Sequence, residues 1–232
     1  MAKRKGKGTR SESNRNLEEL RRKAVEIVKR LEKVYLNPRL ELEYENAFQL
    51  LVMAILAAQE SDKVVNKVSK EFFKKYKTPQ DIARANLEEL EEDLKHINFY
   101  RRKAKLIKEC CEKLIELYKG EVPKSVGELV KLPGVGRKTA NMVIGGAYNL
   151  PAIIVDRHVH RVVERISLSK QKNPDKMEME LSEIVPQELW TKFSLLLLNH
   201  GKTICKARNP ECEKCPILDL CEYGQKNLKG RK

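Results

Sequence analysis

Nowhere among the 232 residues is there a run of about 18 apolar side chains, so no segment is long enough to read as a membrane span. The basic N-terminus is not followed by the apolar core of a signal peptide. No segment alternates apolar and polar residues as a half-buried strand does. Internal repeats beyond a general helix-turn-helix rhythm are missing, and so are low-complexity tracts. What these absences leave is an all-α chain, expected to be soluble and intracellular. Acidic residues are also scarce: Asp+Glu 33 against Lys+Arg 47 gives a net charge of +14 and a pI near 9.5. Such a surplus suits a polyanion, and with membranes set aside the expected partner is nucleic acid. The length allows one large domain or two smaller lobes, and two lobes are expected.

Residues 1–16 carry Lys3, Arg4, Lys5, Lys7 and Arg10 with almost no apolar side chains, and read as a disordered basic arm. From Leu17 apolar residues recur at helical spacing until Asn37-Pro38. Phe48, Leu51, Val52, Ile55 and Leu56 are apolar on most sides, as in a buried central helix that Gln59 closes. Ser61 is placed to cap the next helix and Thr78-Pro79 to open another. Ile97 to Tyr100 form a connector, and a long helix then runs to Tyr118 before Gly120. A short helix through Val130 and one from Arg137 to Tyr148 flank a glycine turn. Beyond it, Asn173-Pro174 starts a further helix, and Gln187 to Asn199 form a very apolar last one.

The glycine turn lies in Leu132-Pro133-Gly134-Val135-Gly136-Arg137-Lys138-Thr139-Ala140. Two glycines one residue apart leave backbone amides uncovered at the start of a helix, where they can grip a phosphate. Lys138 falls in the first turn of that helix, where the dipole disfavours a cation. A lysine in so basic a chain is ordinarily a solvated surface residue. One that breaks a local rule without structural gain instead suggests a nucleophilic amine. Asp156 follows the apolar run Ala152 to Val155, and its local role is that of a helix N-cap.

Cys205, Cys212, Cys215 and Cys221 are spaced C-x6-C-x2-C-x5-C, four thiols within seventeen residues. They suit one metal centre better than disulfides. Spacing alone does not separate tetrahedral zinc from an iron–sulfur cube. Cys110 and Cys111 are adjacent within a helical pattern and stand apart from this set. Lys202, Lys206, Arg208 and Lys214 surround the four cysteines and could meet phosphates.

LPGVGRKTAN, the Asp156 eighteen residues beyond Lys138, and the four-cysteine tail together resemble the endonuclease III family of helix-hairpin-helix DNA glycosylases. The resemblance runs from about Leu17 to Tyr223. It implies two helical lobes: a helical barrel over 40–150 that holds the helix-hairpin-helix, and a second lobe joining 17–39 to 151–223, with 224–232 as a basic tail. A [4Fe-4S] cluster on Cys205, Cys212, Cys215 and Cys221 is implied, with phosphate binding by Leu132, Gly134, Val135, Gly136 and Arg137. Lys138 would be the nucleophile and Asp156 its helper. LAAQESD is similar to the family's L-S-A-Q-x-x-D, so Gln59 would fill the gap left by an extruded nucleotide, and Phe99 would stand where the family has an apolar wedge.

The implied activity is that of a bifunctional DNA glycosylase and abasic-site lyase of base excision repair. It would act as a monomer, in the cytoplasm at the nucleoid, on double-stranded DNA that holds a damaged base, an oxidised pyrimidine above all, or an abasic site. A damaged base must leave the stack before its glycosidic bond can be reached. Lys138 would then attack C1′, and the Schiff base would permit β-elimination. Asn98 stands where the family has glycine and Phe99 where it has leucine, while Arg157 and His160 also depart from its pattern. These departures bear on damage preference, not on the lyase step. A monofunctional mismatch glycosylase would not need Lys138, and a DNA-binding module with structural zinc would need neither Lys138 nor Asp156.

Overall fold

The computed structural model describes residues 10–230, and all regular structure among them is helical. The described residues divide into two compact units, one continuous over Arg39–Ala152, the other joining the chain up to Pro38 with the chain from Ile153.

In the continuous unit, α2 (Ala47–Leu56) is the centre, with Phe48 and Leu50 through Leu56 all buried. An unbroken apolar stretch has no face to offer water, so other helices cover it on several sides. These are α3 (Asp62–Lys75), α6 (Tyr100–Tyr118) and α8 (Arg137–Ala147). Close approach of α8 depends on Gly146, where a Cβ would lie 2.8 Å from side-chain atoms of Leu40 and Leu50. Two short helices, α4 (Pro79–Arg84) and α5 (Leu87–Asp93), pack on α6, and α7 (Val126–Leu129) packs on α8. The expected caps form: Ser61 Oγ accepts from Val64 N at 3.3 Å, and Thr78 with Asp81 makes a reciprocal capping box. α6 ends on two left-handed residues, Lys119 and Gly120, the second in the role expected of it.

The other unit holds α1 (Arg10–Leu31), α9 (Arg157–Arg165), α10 (Pro174–Ile184), α11 (Trp190–Thr203) and α12 (Glu222–Lys229). Its core joins Ile27 and Leu31 of α1 to Val159, Val162, Leu181, Phe193 and Leu197. Burying each of these side chains contributes about 1.5–3 kcal/mol. Asn173 caps α10 as expected, its Oδ1 accepting from Asp175 N and Lys176 N.

Several boundaries differ from the sequence reading. The helix expected from Leu17 begins at Arg10 and stops at Leu31. Once its apolar half is packed, extending a helix by polar residues costs little, whereas a new nucleus would cost much. The basic arm is therefore helical from Arg10, while residues 1–9 lie outside the described residues. The tail expected over 224–232 is α12 as far as Lys229, and residues 231–232 lie outside the described residues. Gln187–Leu189 is a 3-10 turn that follows Pro186 and precedes α11. No helix among the described residues is long and apolar enough to cross a membrane.

Candidate nucleic-acid interface and cysteine cavity

The turn between α7 and α8 is anchored by its apolar residues and open at its glycines. Leu132 and Val135 are buried, and Val135 N donates to Leu132 O at 3.1 Å. Gly134 has φ +77°, and a Cβ there would lie 3.4 Å from Ile55 and Leu106 side-chain atoms, so glycine is needed for the fold itself. Gly136 is different. Its φ is −89°, it N-caps α8 without a side-chain cap bond, and a Cβ on it would meet nothing within 4 Å. The free protein gives no steric reason for glycine at 136. Half-exposed Arg137 and exposed Lys138 come next, in the first turn of α8, which contains no acidic residue.

Gln59 and Phe99 share an unusual backbone. Both are exposed, Phe99 at 64 %, and both are left-handed, with φ of 55° and 59°. For residues other than glycine that conformation is strained, and strain of this sort gathers at functional sites. The sequence singles out both positions by resemblance but does not mark their left-handed backbone, since no glycine or asparagine occupies either.

Asp156 caps α9: its Oδ1 accepts from His158 N at 2.8 Å and Val159 N at 2.7 Å. Two amide donors fix the half-buried carboxylate in place. Burial first, and then the guanidiniums of Arg161 and Arg157, hold His158 below the usual histidine pKa, against the opposite pull of Asp156. His158 Nδ1 lies 3.2 Å from Arg161 Nη2, one turn further along the helix.

All four tail cysteines line one cavity, together with His200, Ile166, Pro210, Ile217, Tyr223 and Gly224. Each sulfur meets a different polar group. Arg165 Nη1 donates to Cys205 Sγ at 3.3 Å, Asn227 Nδ2 to Cys212 Sγ at 3.5 Å and Gly224 N to Cys221 Sγ at 3.3 Å, while His200 Nε2 lies 3.6 Å from Cys215 Sγ. Burial pushes the Cys215 thiol up to about 11 and raises Cys221 as well, so thiolates here need a cation to offset their desolvation. A tetrahedral zinc would draw sulfurs to within about 4 Å of one another. Four sulfurs spread around one cavity, each with a polar neighbour, fit the larger iron–sulfur cube.

The lysines beside this loop are not all available to phosphate. Lys206 and Lys214 both bind Glu211, at 2.6 Å and 3.1 Å, and hold its carboxyl below the usual range. Cys110 and Cys111 are buried in α6, away from the cavity lining. Sequence reasoning missed Glu60, Lys103, Arg161, Arg165 and Asn227. As charged or amide side chains among many, they carry no signal until their partners are known.

Comparison with known proteins agrees with this geometry. Residues 52–187 match the model of the HhH-GPD superfamily base excision DNA repair protein, and residues 205–221 match the iron-sulfur binding domain of endonuclease III. Endonuclease III of Bacillus subtilis (strain 168) is 47% identical over 82% of this chain and 87% of its own length. A solved endonuclease III trapped as a covalent intermediate with DNA, in an estranged-adenine complex, is 41% identical, covering 90% of this chain and 98% of that one with TM-score 0.85. The structure of a thermostable thymine-DNA glycosylase is 30% identical, covering 88% and 98%, with TM-score 0.80. On the hairpin, the cysteine cavity and these similarities together, the chain belongs to the HhH-GPD superfamily of base excision DNA repair proteins and, within it, to the endonuclease III family.

Proposed function

We propose that the protein is a bifunctional DNA glycosylase and abasic-site lyase, acting as a monomer in the cytoplasm, at the nucleoid, on double-stranded DNA that carries an oxidised pyrimidine or an abasic site. The observation that carries this reading is Lys138, exposed in the first turn of α8 directly after a turn whose glycine at 136 has no steric reason in the free protein. The amides opening α8 grip a phosphate, with Arg137 beside them, while Leu132 and Val135 hold the turn from below. Gln59 and Phe99 contact the duplex at the extruded nucleotide.

Lys138 Nζ bonds to C1′ as the glycosidic bond breaks, and the base leaves with that electron pair and takes up a proton. Asp156 accepts a proton from the attacking amine or stabilises the positive sugar, its position fixed by the amides of His158 and Val159. The sugar ring then opens, the C1′–O4′ bond breaking as O4′ takes up a proton, and the adduct becomes an imine; loss of a C2′ proton from that imine breaks the C3′–O bond, and the phosphate on C3′ leaves with the downstream strand. Cys205, Cys212, Cys215 and Cys221 hold the [4Fe-4S] cluster, which when bound supplies four covalent anchors that close the loop around it.

Borohydride trapping tests the assignment. On a duplex carrying one thymine glycol, the protein should be left covalently joined to DNA when borohydride is present during turnover. Lys138→Gln should abolish both the adduct and strand cleavage while still binding the duplex. An undiminished adduct in Lys138→Gln would assign the nucleophile to another amine.

A further inference from the structure

The loops that present Gln59 and Phe99 are tied to each other. Glu60 Oε2 accepts from Asn98 N at 2.8 Å, and its Oε1 accepts from Ser61 N at 2.8 Å. Asn98 Nδ2 returns across the gap to donate to Gln59 O at 3.3 Å, a bond that spans 39 residues of sequence. Behind them Lys103, 5 % exposed, joins both loops again. Its Nζ donates across to Leu56 O at 2.7 Å, while its backbone amide makes the first helical bond of α6, to Phe99 O at 3.0 Å. The ring of contacts thus runs from Leu56 through Gln59 and Glu60 to Asn98, Phe99 and Lys103, and closes on Leu56.

We propose that Glu60, Asn98 and Lys103 are positioning residues that lock the two loops into one two-pronged probe, so that Gln59 and Phe99 enter the duplex together. The inference rests on the reading of those two side chains as DNA contacts. Helix capping does not account for the whole arrangement. Glu60 and the Ser61 amide serve the start of α3, but the bond from Asn98 Nδ2 to Gln59 O serves no helix end. Nor does burial call for that side-chain bond, since Gln59, Asn98 and Phe99 are all exposed. What the ring does is over-determine two strained left-handed residues, which would otherwise relax toward ordinary backbone. Holding both side chains in place before DNA arrives removes an ordering cost from the extrusion step. A glycine at position 98 would have no side chain with which to make the tie.

The experiment uses the full cluster-loaded chain and a duplex carrying one thymine glycol opposite 2-aminopurine, followed by single-turnover base release and by fluorescence. Asn98→Ala should slow release by about fivefold to tenfold, the range expected for one lost hydrogen bond. Its melting temperature and its affinity for undamaged duplex should not change. Asn98→Asp keeps the shape without the donor and should match Asn98→Ala. The single fluorescence rise of the unmodified protein should split into two phases in both variants. In the Gln59→Ala, Phe99→Ala background, Asn98→Ala should have no further effect, because nothing remains to be positioned. A full rate in both Asn98→Ala and Glu60→Gln, or an undiminished effect in that background, overturns the clasp. If instead Gln59→Ala, Phe99→Ala itself releases base from duplex at the full rate, the DNA-contact reading fails, and the clasp falls with it by a separate result.

Discussion

Arg161 reaches from α9 to the carbonyl oxygen of Cys205, donating through Nε at 3.1 Å, and the same guanidinium donates through Nη2 to Gly201 O at 2.7 Å. Because Asp156 caps this helix about one turn earlier, the carboxylate and the first cluster cysteine are held by one short, rigid connection. Arg165 adds to it from one turn further on, with bonds to the Cys205 sulfur and to Lys206 O, and with its guanidinium 4.3 Å from the ring centre of Tyr223.

Replacing Arg161 with lysine should therefore weaken the loop although the charge is kept. One ammonium cannot span both carbonyls, and a lost hydrogen bond from a charged donor costs about 1.5–3 kcal/mol. A melting temperature several degrees lower in Arg161→Lys is the expected outcome, read by circular dichroism on the cluster-loaded protein.

The two glycines of the turn should separate fold from binding. Gly134→Ala puts a side chain on a residue at φ +77° and against Ile55 and Leu106, so it should cost about 1–2 kcal/mol of stability. Gly136→Ala adds a methyl to open space at φ −89° and should keep or slightly raise stability. Its duplex affinity should nevertheless fall, because the methyl would stand where a phosphate must approach the amides. Unchanged affinity in Gly136→Ala would remove the phosphate grip from this turn.

Asp156→Asn should retain the cap and lose the chemistry. Asparagine caps as well as aspartate, so the melting temperature should hold, whereas base release should slow by about 10²–10⁴ if a proton acceptor is lost. Asp156→Ala should lose about 1 kcal/mol of stability in addition. Single-turnover rates beside thermal melts distinguish the two losses.

Iron content should depend on the four tail cysteines and on no others. Cys212→Ser should lose iron and the visible absorbance of the cluster. Cys110→Ala with Cys111→Ala should keep both, since burial alone pushes the Cys110 thiol up to about 12 and raises Cys111 too, leaving both thiols inert. Metal analysis that finds one zinc and no iron in the unmodified protein would refute the cluster.

Glu60 should make its contribution only above acid pH. The Asn98 amide, chiefly, with Ser61 and the charge of Lys103, holds its carboxyl below the usual range against the opposing effect of burial. The folded protein then binds this proton less readily than the unfolded chain. The stabilisation is complete above the ordinary glutamate value of about 4.3 and is lost as pH falls through the lower folded value. Urea titrations of the unmodified protein and Glu60→Gln should differ at pH 7 and converge in acid.

Much of the site is legible in the sequence because it depends on local rules. The caps at Ser61, Thr78, Asp156 and Asn173, the glycine turn and the cysteine spacing all act over a few residues, and each forms as read. The illegible part depends on partners remote in sequence. Lys103 sits in the charged run YRRKAK and reads as a solvated lysine, yet it is buried because Leu56 O lies within reach. Asn227 finds Cys212, and Arg165 finds Cys205, only once the loop has folded back. Lys206 and Lys214 read as phosphate contacts because their tie to Glu211 is invisible until the loop closes.

The discontinuous unit also sets an order of events during synthesis. Arg39–Ala152 is one uninterrupted segment, and it can complete its core while the ribosome is still translating the chain beyond Ala152. α1 emerges ahead of that segment, yet its apolar stripe packs on α10 and α11, and Arg30 pairs with Asp219 at 2.6 Å, 189 residues later. α1 must therefore wait, uncovered, until the segment that carries α10, α11 and Asp219 has been made. Cys221 lies two residues beyond Asp219, so iron delivery and the docking of α1 belong to the same moment. A nascent chain stalled before that point would carry a finished Arg39–Ala152 unit and an unprotected apolar helix, the form most open to chaperones and proteases.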